Sequence, residues 1–249
     1  MPSHTFHVMH ADGPVADDAA GTRVGGLPLL PPGTPWPRCA DDSCRRNLAF
    51  MGQIDLSGTG PAAPAEASAE VSVSVEERNG SVLALFHCLD WCVQTGTMYG
   101  SSHAAFLFPC AGLVATEPPG GSEGPLDREG DRMVLPAAGI AVTPIEVEPS
   151  DDPDDPEDDP PVSFYQGRDA WVDREGHPYA DFLGQWAGAP TWIQDDDTPE
   201  CAACGHGMDF VAQFNSSDRH YRPVYFGDYG YGYVFACEPC GTAAFHVQD

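Results

Sequence analysis

Eight of the nine cysteines in this 249-residue chain fall into four pairs, Cys39/Cys44, Cys88/Cys92, Cys201/Cys204 and Cys237/Cys240. Zinc held by four thiolates needs a tetrahedron of sulfurs about 2.3 Å from the ion, which two turns supply when each presents two cysteines. The second set has that pattern: C-x2-C, 32 intervening residues, then C-x2-C. The first set is looser, C-x4-C followed by C-x3-C. Two structural zinc ions are therefore expected, at Cys39/Cys44/Cys88/Cys92 and at Cys201/Cys204/Cys237/Cys240. Four thiolates close the coordination shell, whereas hydrolytic zinc keeps a position open for water, so such ions would be scaffolding. Rival readings stay open: a redox dithiol, which favours a cysteine at a helix N-terminus, or idle buried thiols. Cys110, within AAFLFPCAGLV, has no partner in the frame and reads as a small buried hydrophobe.

Other residues carry weaker chemistry. His87 and His206 adjoin the cysteine pairs, as extra ligands, hydrogen-bond donors or bystanders. His4, His7 and His10 are spaced like a metal tract at a chain end expected to fray, and Asp195, Asp196 and Asp197 read as a solvated acidic turn. Gln53 and Gln213 stand at matching places in two buried-looking strands and need partners, either a cysteine-bearing loop or a ligand. The chain holds no HExxH, Gly-x-Ser-x-Gly, P-loop or dinucleotide fingerprint, and no catalytic trio is nominated.

The elements that must position these residues are strands. Alternating or continuous apolar runs predict strands over 48–56, 71–77, 103–115 and 139–149, strands running into cysteine turns over 82–92 and 231–240, and a strand-like run ending in Gln213, with turns supplied by 27 glycines and 25 prolines. Helix is weakly signalled, best at DFLGQWAG, 181–188. The strands and cysteines recur. A shift of 160 brings Cys44, Phe50, Gln53 and Asp55 onto Cys204, Phe210, Gln213 and Asn215, and a shift of 162 brings Gly26, Pro28 and Cys39 onto Gly188, Pro190 and Cys201. The expected fold is mainly β (β-rich α+β), with two internally duplicated lobes, each holding a zinc-ribbon-like four-cysteine site. The expected organisation is a poorly structured segment over 1–20, a first lobe over 21–150, an acidic linker or loop over 151–161 (DDPDDPEDDPP) and a second lobe over 162–249.

Composition limits the partners. The 38 acidic residues face 11 basic ones, all arginine, for a net charge of −27. Nucleic acid is excluded as a partner, because neutralising phosphates takes a basic stripe; a basic protein or a cation would be drawn in instead. No stretch has the look of a secretion signal or a bilayer span, so the expected setting is cytoplasmic, where paired cysteines are more naturally ligands or thiols than disulfides.

GGLPLLPPGTPWPRC, LAFMGQIDL, APTWIQ before CAACGHGMDFVAQFN, and GYGYVFACEPCGTAAFHVQ together resemble the YwqG-like family of mostly uncharacterised bacterial proteins. More distantly, their order is similar to the programmed-cell-death-2 family of eukaryotic chaperones for a ribosomal protein. The resemblance implies a β-rich fold of two related lobes with metal in members that keep the cysteines. It extends the reading to a protein-binding module, as a chaperone or neutralising partner of a basic protein. Trp36 and Trp192 lead the candidate anchors, with Trp91, Trp186, Tyr229, Tyr231 and Tyr233 behind them. Two other classes stand beside it: an enzyme with a cleft between lobes lined by Gln53, Gln213, Asp55 and histidines, and a redox-sensing zinc switch.

Overall fold

The computed structural model describes residues 4–42, 44–57, 80–88, 103–120, 134–147, 164–216, 226 and 230–248. The strand expected over 71–77, the acidic stretch 151–161, Cys92, Trp91 and Tyr229 lie outside these. In chain order the elements are β1 (His4–Pro14), β2 (Arg23–Val24), β3 (Leu29–Leu30), β4 (Ala49–Asp55), β5 (Ser81–His87), β6 (His103–Pro109), β7 (Val114–Ala115) and β8 (Ala138–Val147). A helix α1 (Phe164–Asp169) continues through a wider turn at Ala170–Arg174, and β9 (Phe182–Trp186), β10 (Asp209–Asn215), β11 (Tyr231–Cys237) and β12 (Thr242–Gln248) follow.

Ten strands form one antiparallel sheet in the order β12-β11-β10-β9-β1-β8-β2-β4-β5-β6, and β3 pairs separately with β7. The sheet curls until its edge strands approach each other, with the His103 ring on β6 5.3 Å from the Phe245 ring on β12. Its inner face is one continuous apolar core: Met9, Met51, Leu83, Leu183, Val211 and Val234 all belong to it and are at least nine-tenths buried. Each such side chain contributes roughly 1.5–3 kcal/mol by leaving water. A second cluster on the outer face gathers Phe164, Trp171, Tyr233 and Phe235 with Cys201 and Cys237; a third gathers Leu48, Phe50 and Phe86 with Cys39 and Cys88. The cysteines thus sit outside the barrel, each set against its own aromatic cluster.

The mainly β class is as the sequence indicates, but two details differ. Residues 4–14, expected to be poorly structured, form β1 at the centre of the sheet, between β8 and β9. Its buried residues go both ways, Phe6 and Val8 to the outer cluster and Met9 to the inner core, so the alternation of Thr5, Phe6, His7 and Val8 breaks off at Met9. Residues 182–186 form β9 rather than helix. Phe182 and Leu183 point into opposite cores, and Gly184 lets Gln213 of β10 approach so closely that a Cβ would lie 1.9 Å from its carbonyl oxygen. The strands of the segments 21–150 and 162–249 join one sheet, an arrangement that the sequence leaves open. The strand order reads alike from both ends, matching β12 to β6, β11 to β5, β10 to β4, β9 to β2 and β1 to β8. Each half's leading strand pairs with the other half's second strand, β1 with β9 and β8 with β2.

The correspondence extends to irregularities. β4 bulges between Phe50 and Gly52, and β10 between Phe210 and Ala212. Gly25 and Gly26 take φ of 67° and 73°, matched by Ala187 and Gly188 at 52° and 81°. The Gly25 N–H donates to Met51 O and the Ala187 N–H to Val211 O, both at 2.9 Å. Arg23 donates to the carbonyls of Gly25 and Leu27, while Gln185 donates to those of Ala187 and Ala189. These pairs all obey the shifts of 160 and 162.

Candidate metal centre

Both cysteine sites are built from the same two parts, a loop with one cysteine pair and a strand end with the other. In the second half an isolated bridge, Glu200 to Gly207, closes the loop. Inside it the Cys201 N–H donates to His206 O at 2.8 Å and the Gly205 N–H to Cys201 O at 2.7 Å, with Gly205 at φ 73°. In the first half the bridge is Arg38 to Asn47, and the Cys39 N–H donates to Arg46 O at 2.8 Å. Arg45 takes the left-handed place of Gly205, at φ 53°. The strand-end part is β11, which closes with Cys237 and turns through Glu238–Cys240; Gly241 at φ 65° then leads into β12. β5 ends likewise, one residue before Cys88.

The sulfurs of Cys201, Cys204, Cys237 and Cys240 lie within 4.8 Å of one another, and so do those of Cys39, Cys44 and Cys88. A tetrahedron with 2.3 Å arms has edges of about 3.8 Å. Cys204 and Cys237 are 3.9 Å apart and Cys44 and Cys88 3.7 Å, so the spacing fits such an ion without rearrangement. Cys204 is exposed and Cys240 half-buried, while Cys201 and Cys237 are buried.

Electrostatics ask for a cation here. Hydrogen bonds from the Thr242 hydroxyl, at 3.2 Å, and from the backbone N–H groups of Ala203 and Cys204 draw the Cys201 thiol down to about 6. Cys240 is pushed up to about 12, chiefly by its contact with Cys204, and Cys237 is raised by burial. Ionising one thiol makes its neighbours harder to ionise, and an ion at the centre removes that conflict.

Among the described residues both groups consist of cysteines alone. The buried His87 sits with its ring 5.5 Å from Phe226, and His206 is exposed on the loop. Cys110 is 1% exposed in a small cluster with Leu29, Val82 and Leu113, outside either site. His10 stacks on Trp171, and Asp197 pairs with His246 at 2.9 Å.

Gln53 and Gln213 are 1% and 0% exposed. Gln213 Oε1 accepts from the Thr191 N–H at 2.9 Å, and Gln53 Oε1 accepts from the Leu29 N–H at 3.4 Å, the equivalent residue. Each glutamine ties its strand to the segment leading into the cysteine loop. The half-buried Trp36 donates to Leu48 O at 2.8 Å and packs edge-on against Phe86, while Trp192 lies 4.5 Å from Tyr233 and stacks on Phe235. Tyr231 and Tyr233 are core residues, 5% and 0% exposed. Sequence reasoning missed Thr242 and the Arg23/Gln185 clamp. Nothing marks a threonine two residues past a cysteine, but an arginine beside an apolar Val-Gly-Gly-Leu run was a signal for the clamp.

No family model matches the chain. A segment of 69 residues, 27% of the chain, is 36% identical to an uncharacterised protein, YpfL, of Salmonella typhimurium. That segment spans 15% of the relative's length. Among the described residues no helix is long and apolar enough to cross a membrane.

Proposed function

We propose that this protein is a cytoplasmic protein-binding module stabilised by two structural zinc ions, and that its partner is a basic protein. The observation that carries the metal half is the convergence of four Sγ atoms within 4.8 Å from two separate turns. Soft thiolates alone, at tetrahedral spacing, suit zinc among the abundant divalent ions. Cys92 completes the first site in this reading. A closed thiolate shell leaves no position for substrate, which sets metal hydrolysis aside. Binding of about 10–16 kcal/mol per zinc is comparable with the stability of a whole domain, so each ion would hold its half of the sheet together.

The partner half rests on charge. A net charge of −27 without a single lysine gives a strong negative field that speeds encounter with cations and basic surfaces. A role as chaperone or neutralising partner of such a protein follows the resemblance to the YwqG-like and programmed-cell-death-2 families.

Elemental analysis of protein purified without chelator tests the metal, and two zinc ions per chain are expected. One would make Cys39, Cys44, Cys88 and Cys92 candidates for redox chemistry; none would overturn the reading. Capture from lysate at low salt tests the partner. Recovery of a stoichiometric basic protein that elutes as salt rises supports it, and recovery of nothing stoichiometric removes it.

A further inference from the structure

We infer that Thr242 is the residue that orients and tunes Cys201 in the C-terminal metal site. The inference rests on the metal reading above and adds a residue that ligand spacing does not reveal. Its hydroxyl lies 3.2 Å from Cys201 Sγ, across 41 residues of chain. Thr242 opens β12 directly opposite Cys237 in the β11–β12 register, immediately after the turn that carries Cys240. One hydrogen bond therefore joins the strand-end cysteine pair to the loop pair.

The direction of that bond is fixed once metal is present. A metal-bound thiolate has no proton to give, so the threonine O–H donates and the sulfur accepts. Cys201 is 1% exposed, so the hydroxyl reaches its sulfur where water cannot. Cys204, at the exposed side, is open to water. Partners of this kind set ligand orientation and basicity, and their loss typically costs 10- to 100-fold in metal affinity. Removing the hydroxyl while keeping the shape should loosen this site and leave the first untouched, because the bond belongs to one site only.

The test is cadmium NMR on the full chain loaded with ¹¹³Cd, together with competition against a chelator. The C-terminal resonance is the one that Cys204→Ser abolishes. Thr242→Val should move that resonance and lower its cadmium affinity 10- to 100-fold, with the other resonance in place, and Thr242→Ser should restore both. A Thr242→Val protein with unchanged resonances and affinity overturns the inference while the metal reading stands. A chain that binds no cadmium overturns the metal reading and this inference with it. Should Thr242→Val fail to fold, Thr242→Ser decides: wild-type resonances and affinity support the hydroxyl, and a shifted C-terminal resonance with affinity lowered 10-fold or more rejects it.

Discussion

At the residue scale, the molecule places a titratable group where water cannot follow. His103 is 7% exposed on β6, and burial first, then the charges of His87 and His246, hold its imidazole down at about 3 against 6.5 in the unfolded chain. Above pH 6.5 neither state binds the proton and the full stability is present. As pH falls from 6.5 towards 3 the unfolded chain takes up a proton that the folded one refuses, so stability is lost across that window. At 1.36 kcal/mol per pKa unit the loss is on the order of 5 kcal/mol. His103→Leu should flatten the stability–pH curve there, read as the wild-type minus variant difference in urea midpoints; parallel curves would contradict it. The cysteine pairs were legible because ligand chemistry fixes both residue type and spacing. Gln53 and Gln213 were legible as a matched pair needing partners, but those partners, the N–H groups of Leu29 and Thr191, the carbonyl of Gly21 and the guanidinium of Arg23, are brought to them by the fold and leave no trace in the sequence.

At the element scale, the two cysteine loops are one design in two sequences, and their difference has a cost. Gly205 sits in the left-handed region without penalty, whereas Arg45 occupies the matched position at φ 53°. A side chain there costs roughly 1–2 kcal/mol, and the exposed ion pair with Asp42 repays little of it. Arg45→Gly should therefore raise the stability of the metal-loaded protein by about 1 kcal/mol in chemical denaturation; destabilisation would mean that the Arg45–Asp42 pair outweighs the backbone strain. Strands with regular apolar runs, β4, β5, β8 and β11, were readable for the usual reason of periodicity. β1 and β9 were not, because each is buried on both faces at the centre of the sheet, where pairing partners rather than local pattern decide the conformation. Gly184 in β9 reads as a helix irregularity until the carbonyl of Gln213 is seen beside it.

At the scale of the whole molecule, the two shifts of register were legible, and the joining of the strands they relate into one sheet was not. The sequence pattern suits two lobes side by side equally well. Pairing of β1 with β8 and β9, and of β8 with β2, is a long-range choice made by the shared inner core. That exchange makes the architecture behave as a clasp. A protease cut between Gly120 and Val134 would sever the chain while leaving β1–β8, β1–β9 and β2–β8 intact, so the two fragments should elute together under native conditions and separate only in denaturant. Separation without denaturant would show that the clasp does not hold. If it does hold, each half is an obligate complement of the other: neither can be borrowed alone by another protein, and any surface that grips a partner is presented by a body whose two arms were never independent.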